Sequence, residues 1–140
     1  MKVLVFGLIL ASCSAFASGQ DEINQRVDSL LAQIRKVKLV ITQTYIKEGQ
    51  PNKEKVCSSM EQFSGEVVQL VITVVLNSNV DSIERKIIRH LSDLAGHSRT
   101  FCEPKESIDP NLKIYNFADL NEVLSQISSL AHGLRKEIFY

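Results

Sequence analysis

Apolar residues recur in alternating steps of four and three through most of this chain, and this spacing constrains the fold more than any other feature. Such steps keep one stripe of side chains on one face of an α-helix. The pattern predicts four helices, at residues 21–45, 53–76 and 81–95 and from residue 117 almost to the chain end. The four stripes consist of Ile23, Val27, Leu30, Ile34, Val37 and Ile41; Val56, Met60, Phe63, Val67, Leu70 and Val74; Ile83, Ile87, Leu91 and Leu94; and Phe117, Leu120, Leu124, Ile127, Leu130 or Ala131, Leu134 and Ile138.

Local signals mark where these helices begin and end. Residues 49–52, Gly-Gln-Pro-Asn, contain strong helix breakers. Asp81, with Glu84 three residues later, is close to a capping box, and Gly96 is predicted to stop the third helix. Asn116 is predicted to cap the fourth helix.

Four amphipathic helices bury their stripes against one another, so the chain is predicted to be an all-α four-helix bundle. The short turn after residue 76 makes the second and third helices antiparallel. The connection of residues 97–115 reaches about 60 Å when extended, which is enough to run the length of a bundle. The first connection reaches only about 27 Å, and a crossover there requires the first helix to stop near Thr42. Both an up-up-down-down and an up-down topology therefore remain open.

The N-terminus has the three-part pattern of a secretory signal. Lys2 precedes an apolar run of about ten residues, and small residues ending in Ala15-Phe16-Ala17 follow. A membrane span needs about twenty apolar residues, so this run is predicted to be removed and not to act as an anchor. Residues 1–17 are the predicted signal peptide and residues 18–140 the secreted domain, with cleavage after Gly19 as the alternative.

The cysteine count becomes informative once the signal is removed. Cys13 leaves with the signal, whereas Cys57 and Cys102 remain. An even pair in an oxidising compartment predicts one disulfide, with two free or intermolecular thiols as the alternatives. The protein is therefore expected to be a monomer or a disulfide-linked dimer.

The charge balance bears on the class of partner. The chain has 16 basic and 16 acidic residues, and the loss of Lys2 leaves 15 basic residues against 16 acidic ones. A near-neutral domain argues against nucleic-acid binding. No segment after the signal is long and apolar enough for stable membrane insertion.

The sequence contains no pattern typical of catalysis or metal binding. His90, His97 and His132 lack partners at metal-ligand spacing, and there is no nucleophile elbow or Gly-rich phosphate loop. We therefore expect a protein that works by binding, without enzyme activity, metal or cofactor. Candidate contact residues lie outside the stripes of the first and fourth helices: Asp28, Arg35, Lys38, Glu122, Ser129 and Arg135.

The arrangement resembles the short-chain four-helix cytokines, which include interleukin-2, interleukin-5 and interleukin-13. Residues 99–103, Arg-Thr-Phe-Cys-Glu, are similar to a cysteine-containing stretch of interleukin-2. Residues 56–63 resemble interleukin-5, whose cysteines bridge two chains, and residues 81–85 resemble interleukin-13. The resemblance implies a Cys57–Cys102 disulfide, parallel first and second helices, and a secreted cytokine. Such a cytokine brings cell-surface receptor chains together through faces of the first and fourth helices.

A second hypothesis is a secreted carrier of lipid or another apolar ligand. Residues 67–76 are apolar nearly all round the helix, so we expect them to form the most buried element. A carrier keeps a sizeable internal cavity lined by such residues, whereas a cytokine core is packed solid.

Overall fold

The computed structural model describes residues 15–77, 80–103 and 116–136. Within these ranges it contains four helices: α1 (Ala15–Glu48), α2 (Lys53–Leu76), α3 (Ser82–Arg99) and α4 (Phe117–His132). None of them combines the length and the apolar character that a membrane span requires. The predicted all-α four-helix bundle is confirmed. Most of the predicted signal peptide, most of the long connection and Ile138 lie outside the described residues.

The stripes of α1 and α2 are confirmed as the centre of the core. α2 has the predicted ends, whereas α1 is longer than predicted at both ends. The predicted cleavage site after Ala17 lies within α1, three residues from the start of that helix. The stripe residues of both helices are all buried: Ile23, Val27, Leu30, Ile34, Val37, Ile41, Val56, Met60, Phe63, Val67, Leu70 and Val74.

α1 ends at Gly49, whose φ of +77° lies in the left-handed region that glycine adopts without steric cost. Its N–H donates to the Tyr45 carbonyl at 2.9 Å, which closes the last turn. The backbone N–H of Asn52 then donates to Thr44 Oγ1 at 3.0 Å, and Asn52 Oδ1 caps α2 by accepting from the Lys55 N–H at 3.1 Å.

The length of this turn determines the direction of α2. The four residues 49–52 reach about 14 Å, whereas the 24 residues of α2 extend about 36 Å. The turn therefore forces α2 to run antiparallel to α1.

Contacts between the helix ends establish the remaining directions. The Cys57–Cys102 bond joins the start of α2 to the segment after α3. Lys136, after α4, pairs with Glu84 at the start of α3. Each helix packs against its chain neighbours, and α4 also packs against α1. The topology is therefore up-down-up-down, and the up-up-down-down alternative is wrong for this chain.

α3 differs from the prediction in its end and in its buried face. The helix continues through Gly96 to Arg99, and Ile83, predicted to be in the stripe, is 66% exposed. The prediction considered large apolar side chains alone. The observed buried face also includes a small residue, Ala95, and two polar residues with partners, Glu84 and Ser98. Ser98, for example, donates its hydroxyl to the Ala95 carbonyl at 2.7 Å. The buried face consists of Glu84, Ile88, Leu91, Ala95 and Ser98.

The expectation that residues 67–76 form the most buried element is wrong for half of that segment. Val67, Leu70 and Val74 are buried, but the other face of the same helix is open to solvent. The reason is that α2 packs mainly against α1 and α3, whereas its outer face is open to solvent. Four apolar side chains of this face are 45–79% exposed: Val68, Ile72, Val75 and Leu76.

The predicted caps of α3 and α4 are confirmed. Asp81 Oδ1 accepts from the Glu84 N–H and Asn116 Oδ1 accepts from the Asp119 N–H, both at 2.8 Å. α4 ends at His132, earlier than predicted. Of the two alternatives for its stripe, Ala131 is the buried one.

The predicted disulfide between Cys57 and Cys102 is present, with the two Cα atoms 5.7 Å apart. The adjacent Phe101 is buried and meets Phe117 edge-on, with ring centroids 4.8 Å apart. Lys53 Nζ lies 5.1 Å from the centroid of the Phe101 ring. This end of the bundle thus links the starts of α2 and α4 to the segment after α3.

Replacement of both cysteines should destabilise the protein. The bond spans 45 residues of sequence, for which the chain-entropy model gives about 4 kcal/mol and measured values typically give about 2–4 kcal/mol. We expect Cys57→Ser/Cys102→Ser to lower the free energy of unfolding in urea by that amount. Reduced wild-type protein should behave like the double variant. Equal unfolding curves for oxidised wild-type protein and the variant would contradict the prediction.

Candidate functional site

Polar side chains of α1 meet α4 and the segment that follows it along one continuous surface, which we call the α1–α4 seam. It includes Gln20, Asn24, Asp28 and Lys38 of α1. On the other side it includes Ser125 and the backbone of residues 134–136. The two sides run antiparallel, because positions farther along α1 meet positions earlier along α4. The seam is the candidate binding surface.

Asn24 holds the chain that leaves α4. Its Nδ2 donates to the Lys136 carbonyl at 2.6 Å, and its Oδ1 accepts from the Lys136 N–H at 3.1 Å. Gln20 Nε2 supports this arrangement by donating to Asn24 Oδ1 at 2.9 Å and to the Leu134 carbonyl at 3.2 Å. One side-chain amide thereby satisfies both backbone groups of Lys136, which have no helix partner beyond the end of α4.

An ion pair next to these contacts fixes two charged groups across the seam. Arg135 Nε and Nη2 donate to the two carboxylate oxygens of Asp28 at 3.1 and 3.2 Å. About half of each side chain is exposed, so water screens the pair and its contribution to stability is small. The two-point geometry nevertheless fixes the orientation of both groups. Lys38 Nζ donates to Ser125 Oγ at 2.5 Å farther along the seam.

The structure brings three of the six predicted contact residues into this seam. Asp28 and Lys38 lie on the α1 side of the seam. Arg135 was predicted to lie on the fourth helix, but α4 ends at His132 and Arg135 follows it. Arg35 is an exposed α1 residue, three positions before Lys38. Glu122 and Ser129 are exposed side chains of α4, and neither takes part in a hydrogen bond or ion pair among the described residues.

Sequence reasoning missed the residues that organise the seam, including Asn24 and Lys136. Asn24 and Lys136 are 112 positions apart, and no local pattern marks either as a contact residue. Glu84 had a local signal, but only as part of a cap. Its side chain is buried, and its carboxylate also accepts a hydrogen bond from Lys136 Nζ. Lys136 therefore compensates a buried negative charge as well as contributing its backbone to the seam.

Two open grooves lie on either side of the first turns of α2. The groove between α1 and α2 is lined largely by polar side chains, among them Gln43, Thr44 and Lys55. The groove between α2 and α3 is lined by Glu61, Ser64, Arg99 and the disulfide, among others. In the described part of the chain, no group of three His, Cys, Asp or Glu side chains is placed to hold a metal ion. The chemistry that these surfaces offer is hydrogen bonding and charge recognition.

Comparisons of this chain with protein-family models, with curated proteins and with solved structures found no match. The candidate site is thus defined by the contacts within the chain.

Removal of the Asn24 side-chain amide should loosen the segment after α4. Asn24→Ala deletes two hydrogen bonds to the Lys136 backbone, each of which contributes about 1 kcal/mol. We expect the free energy of unfolding to fall by about 1–2 kcal/mol and the Lys136 amide to exchange faster with solvent. Gln25→Ala, at the exposed neighbouring position, is the matched control. An unchanged exchange rate at Lys136 in Asn24→Ala would refute the proposed role of Asn24.

Proposed function

We propose that the chain is a secreted binding protein that recognises a cell-surface receptor through the α1–α4 seam. The observation that carries the proposal is the Asp28–Arg135 ion pair. It holds opposite charges from two parts of the chain in fixed positions on one exposed surface. Charged groups that are fixed before binding give specificity without an ordering cost at the moment of association. The signal-like N-terminus and the disulfide support an extracellular location.

The proposal keeps only one part of the cytokine hypothesis, namely that the chain is secreted and binds a cell-surface receptor. The resemblance implies parallel first and second helices, whereas α1 and α2 are antiparallel, as the Asn52–Thr44 contact at their joined ends requires. The resemblance also implies that two receptor chains are brought together through separate faces of α1 and α4. Asp28 and Arg135 are only 3.1 Å apart, so these residues belong to one surface. We therefore propose a single receptor contact at the seam.

The carrier hypothesis has less support from the packing. It expects the apolar residues of 67–76 to surround an internal cavity. Val67, Leu70 and Val74 are instead at most 6% exposed within the continuous core, and Val71 packs against that core. The other large apolar side chains of this segment are exposed: Val68, Ile72, Val75 and Leu76. The apolar character of this segment is better explained as core packing on one face and an external surface on the other.

A cell-binding measurement with charge-reversal variants tests the proposal. Fluorescently labelled protein is added to intact cells of the source organism, with excess unlabelled protein as competitor. We expect saturable binding that disappears after the cells are treated with trypsin, because the receptor is a protein. Lys38 belongs to the seam and Arg35 is exposed one helical turn before it. Arg35→Glu/Lys38→Glu should therefore weaken this binding at least about tenfold, since charged groups within an interface often dominate its affinity.

The matched control is Lys36→Glu/Lys47→Glu, which makes the same change in net charge on the same helix. Lys36 donates to Gln62 of α2 and so lies on the side of α1 away from α4. This control should bind as the wild-type protein does. An absence of saturable, trypsin-sensitive binding, or equal losses in the two double variants, would exclude the seam as the receptor contact.

A further inference from the structure

The outer face of α2 carries a second apolar stripe, in addition to the one that forms the core. We call Val68, Ile72, Val75 and Leu76 the outer stripe; these side chains are 53%, 45%, 69% and 79% exposed. The first three are spaced by four and three residues, so they lie in one row along the helix. Residues 67–80 contain no charged side chain. A contiguous exposed apolar surface of this kind typically marks an interaction site.

Exposed basic side chains of α3 lie on the side of the bundle that carries this stripe. Glu61 and Ser64 of α2 line a groove together with Arg99 of α3, which identifies the sides of the two helices that face each other. Val68, Ile72 and Val75 follow Glu61 by seven, eleven and fourteen residues, which places them on the same side of α2 as Glu61. Fourteen residues separate Glu61 from Val75, and fourteen also separate Arg99 from Arg85, so Arg85 lies near the Arg99 side of α3; Arg89 follows Arg85 one helical turn later. Arg85 and Arg89 are both exposed, and we call them the basic flank.

The basic flank lies at the same level of the bundle as the stripe. α2 and α3 run antiparallel and are joined near one end by the Cys57–Cys102 bond. Ile72 follows Cys57 by fifteen residues, and Ile87 precedes Cys102 by fifteen residues. Because the two helices are antiparallel, Ile72 and Ile87 lie at about the same distance from the disulfide along the bundle. Ile87 lies between the two arginines of the basic flank in the sequence. Residues 85–92 contain no acidic side chain, so the flank is positively charged.

We propose that the outer stripe and the basic flank dock the protein on the surface of a membrane that contains anionic phospholipid. An interfacial helix inserts its apolar side chains to the level of the lipid headgroups, while neighbouring arginines contact anionic headgroups. The docking is peripheral, since no described helix is able to span a bilayer. A stable protein interface buries about 800 Å² on each partner, which is more than four side chains on one helix provide. Membrane docking has no such requirement, because apolar insertion and charge attraction act together.

A second copy of the chain fits this surface less well. If two stripes pair with their helices antiparallel about a two-fold axis, the basic flanks of the two copies fall on the same side of the interface. The arginines of one copy then approach those of the other copy, and this like-charge contact opposes association. The α1–α4 seam lies on the opposite side of the bundle, since the helices pack in the order α1–α2–α3–α4. Membrane docking through α2 therefore leaves the seam exposed.

Vesicle sedimentation tests this proposal without a receptor. Folded protein is mixed with vesicles of phosphatidylcholine alone or of phosphatidylcholine with phosphatidylserine. We expect binding to the anionic vesicles that weakens as salt is added. Arg85→Glu/Arg89→Glu should reduce the partition coefficient about thirtyfold or more, because each basic residue near an anionic surface contributes about fivefold. Ile72→Glu should abolish binding to the anionic vesicles.

The controls separate this surface from the rest of the protein. Leu39→Glu replaces an exposed apolar side chain of α1, 54% exposed, and should bind vesicles as the wild-type protein does. Lys36→Glu/Lys47→Glu is the control for charge, and Arg35→Glu/Lys38→Glu should affect cell binding but not vesicle binding. Circular dichroism and urea unfolding verify that each variant is folded; Val75→Ser replaces Ile72→Glu if the latter unfolds.

Three outcomes would overturn the proposal. The first is no binding to anionic vesicles at low salt. The second is an equal loss of binding in Ile72→Glu and Leu39→Glu. The third is a wild-type dimer in light scattering that Ile72→Glu converts to a monomer, with no vesicle binding by either protein, because a second copy then covers the stripe.

Discussion

The four-residue turn between α1 and α2 is the constraint on which the rest of the architecture depends. Its reach of about 14 Å is far less than the length of either helix, so α2 must return alongside α1. The short turn before α3 imposes the same reversal. α4 then closes the bundle against α1, where the Asp28–Arg135 and Lys38–Ser125 contacts run antiparallel. The seam proposed as a receptor contact therefore exists because an early turn in the chain is too short to cross the bundle.

The two ends of the bundle are held by different kinds of interaction. At one end the Cys57–Cys102 bond and the Phe101–Phe117 pair join α2, the segment after α3 and α4. At the other end Asn24 hydrogen-bonds to the Lys136 backbone, and the Lys136 side chain pairs with the buried Glu84. The apolar stripes between the ends provide most of the favourable burial. The contacts at the ends fix which part of each helix lies beside which part of its neighbours.

α2 illustrates how one helix supports two different surfaces. Its inner stripe, with Phe63 and Leu70 fully buried, completes the core. Its outer stripe has the same kind of residues but is exposed, because each described helix packs mainly against two others. Keeping valine and isoleucine exposed to water is unfavourable, and an interaction surface accounts for their presence. The polar seam and the outer stripe lie on opposite sides of the bundle, so the proposed receptor contact and the proposed membrane docking do not compete.

The sequence by itself determined the number of helices, the buried stripes of α1 and α2, and the caps at Asp81 and Asn116. These features depend on side-chain spacing and on hydrogen bonds within a few residues, which a local pattern records. It also predicted the pairing of Cys57 with Cys102, which the structure contains. Only the tertiary structure decided the helix directions, the buried face of α3, the exposure of Ile72 and the position of Arg135. The physical reason is that these depend on which helices become neighbours, and contacts such as Asn24–Lys136 join residues with no local relation in the chain.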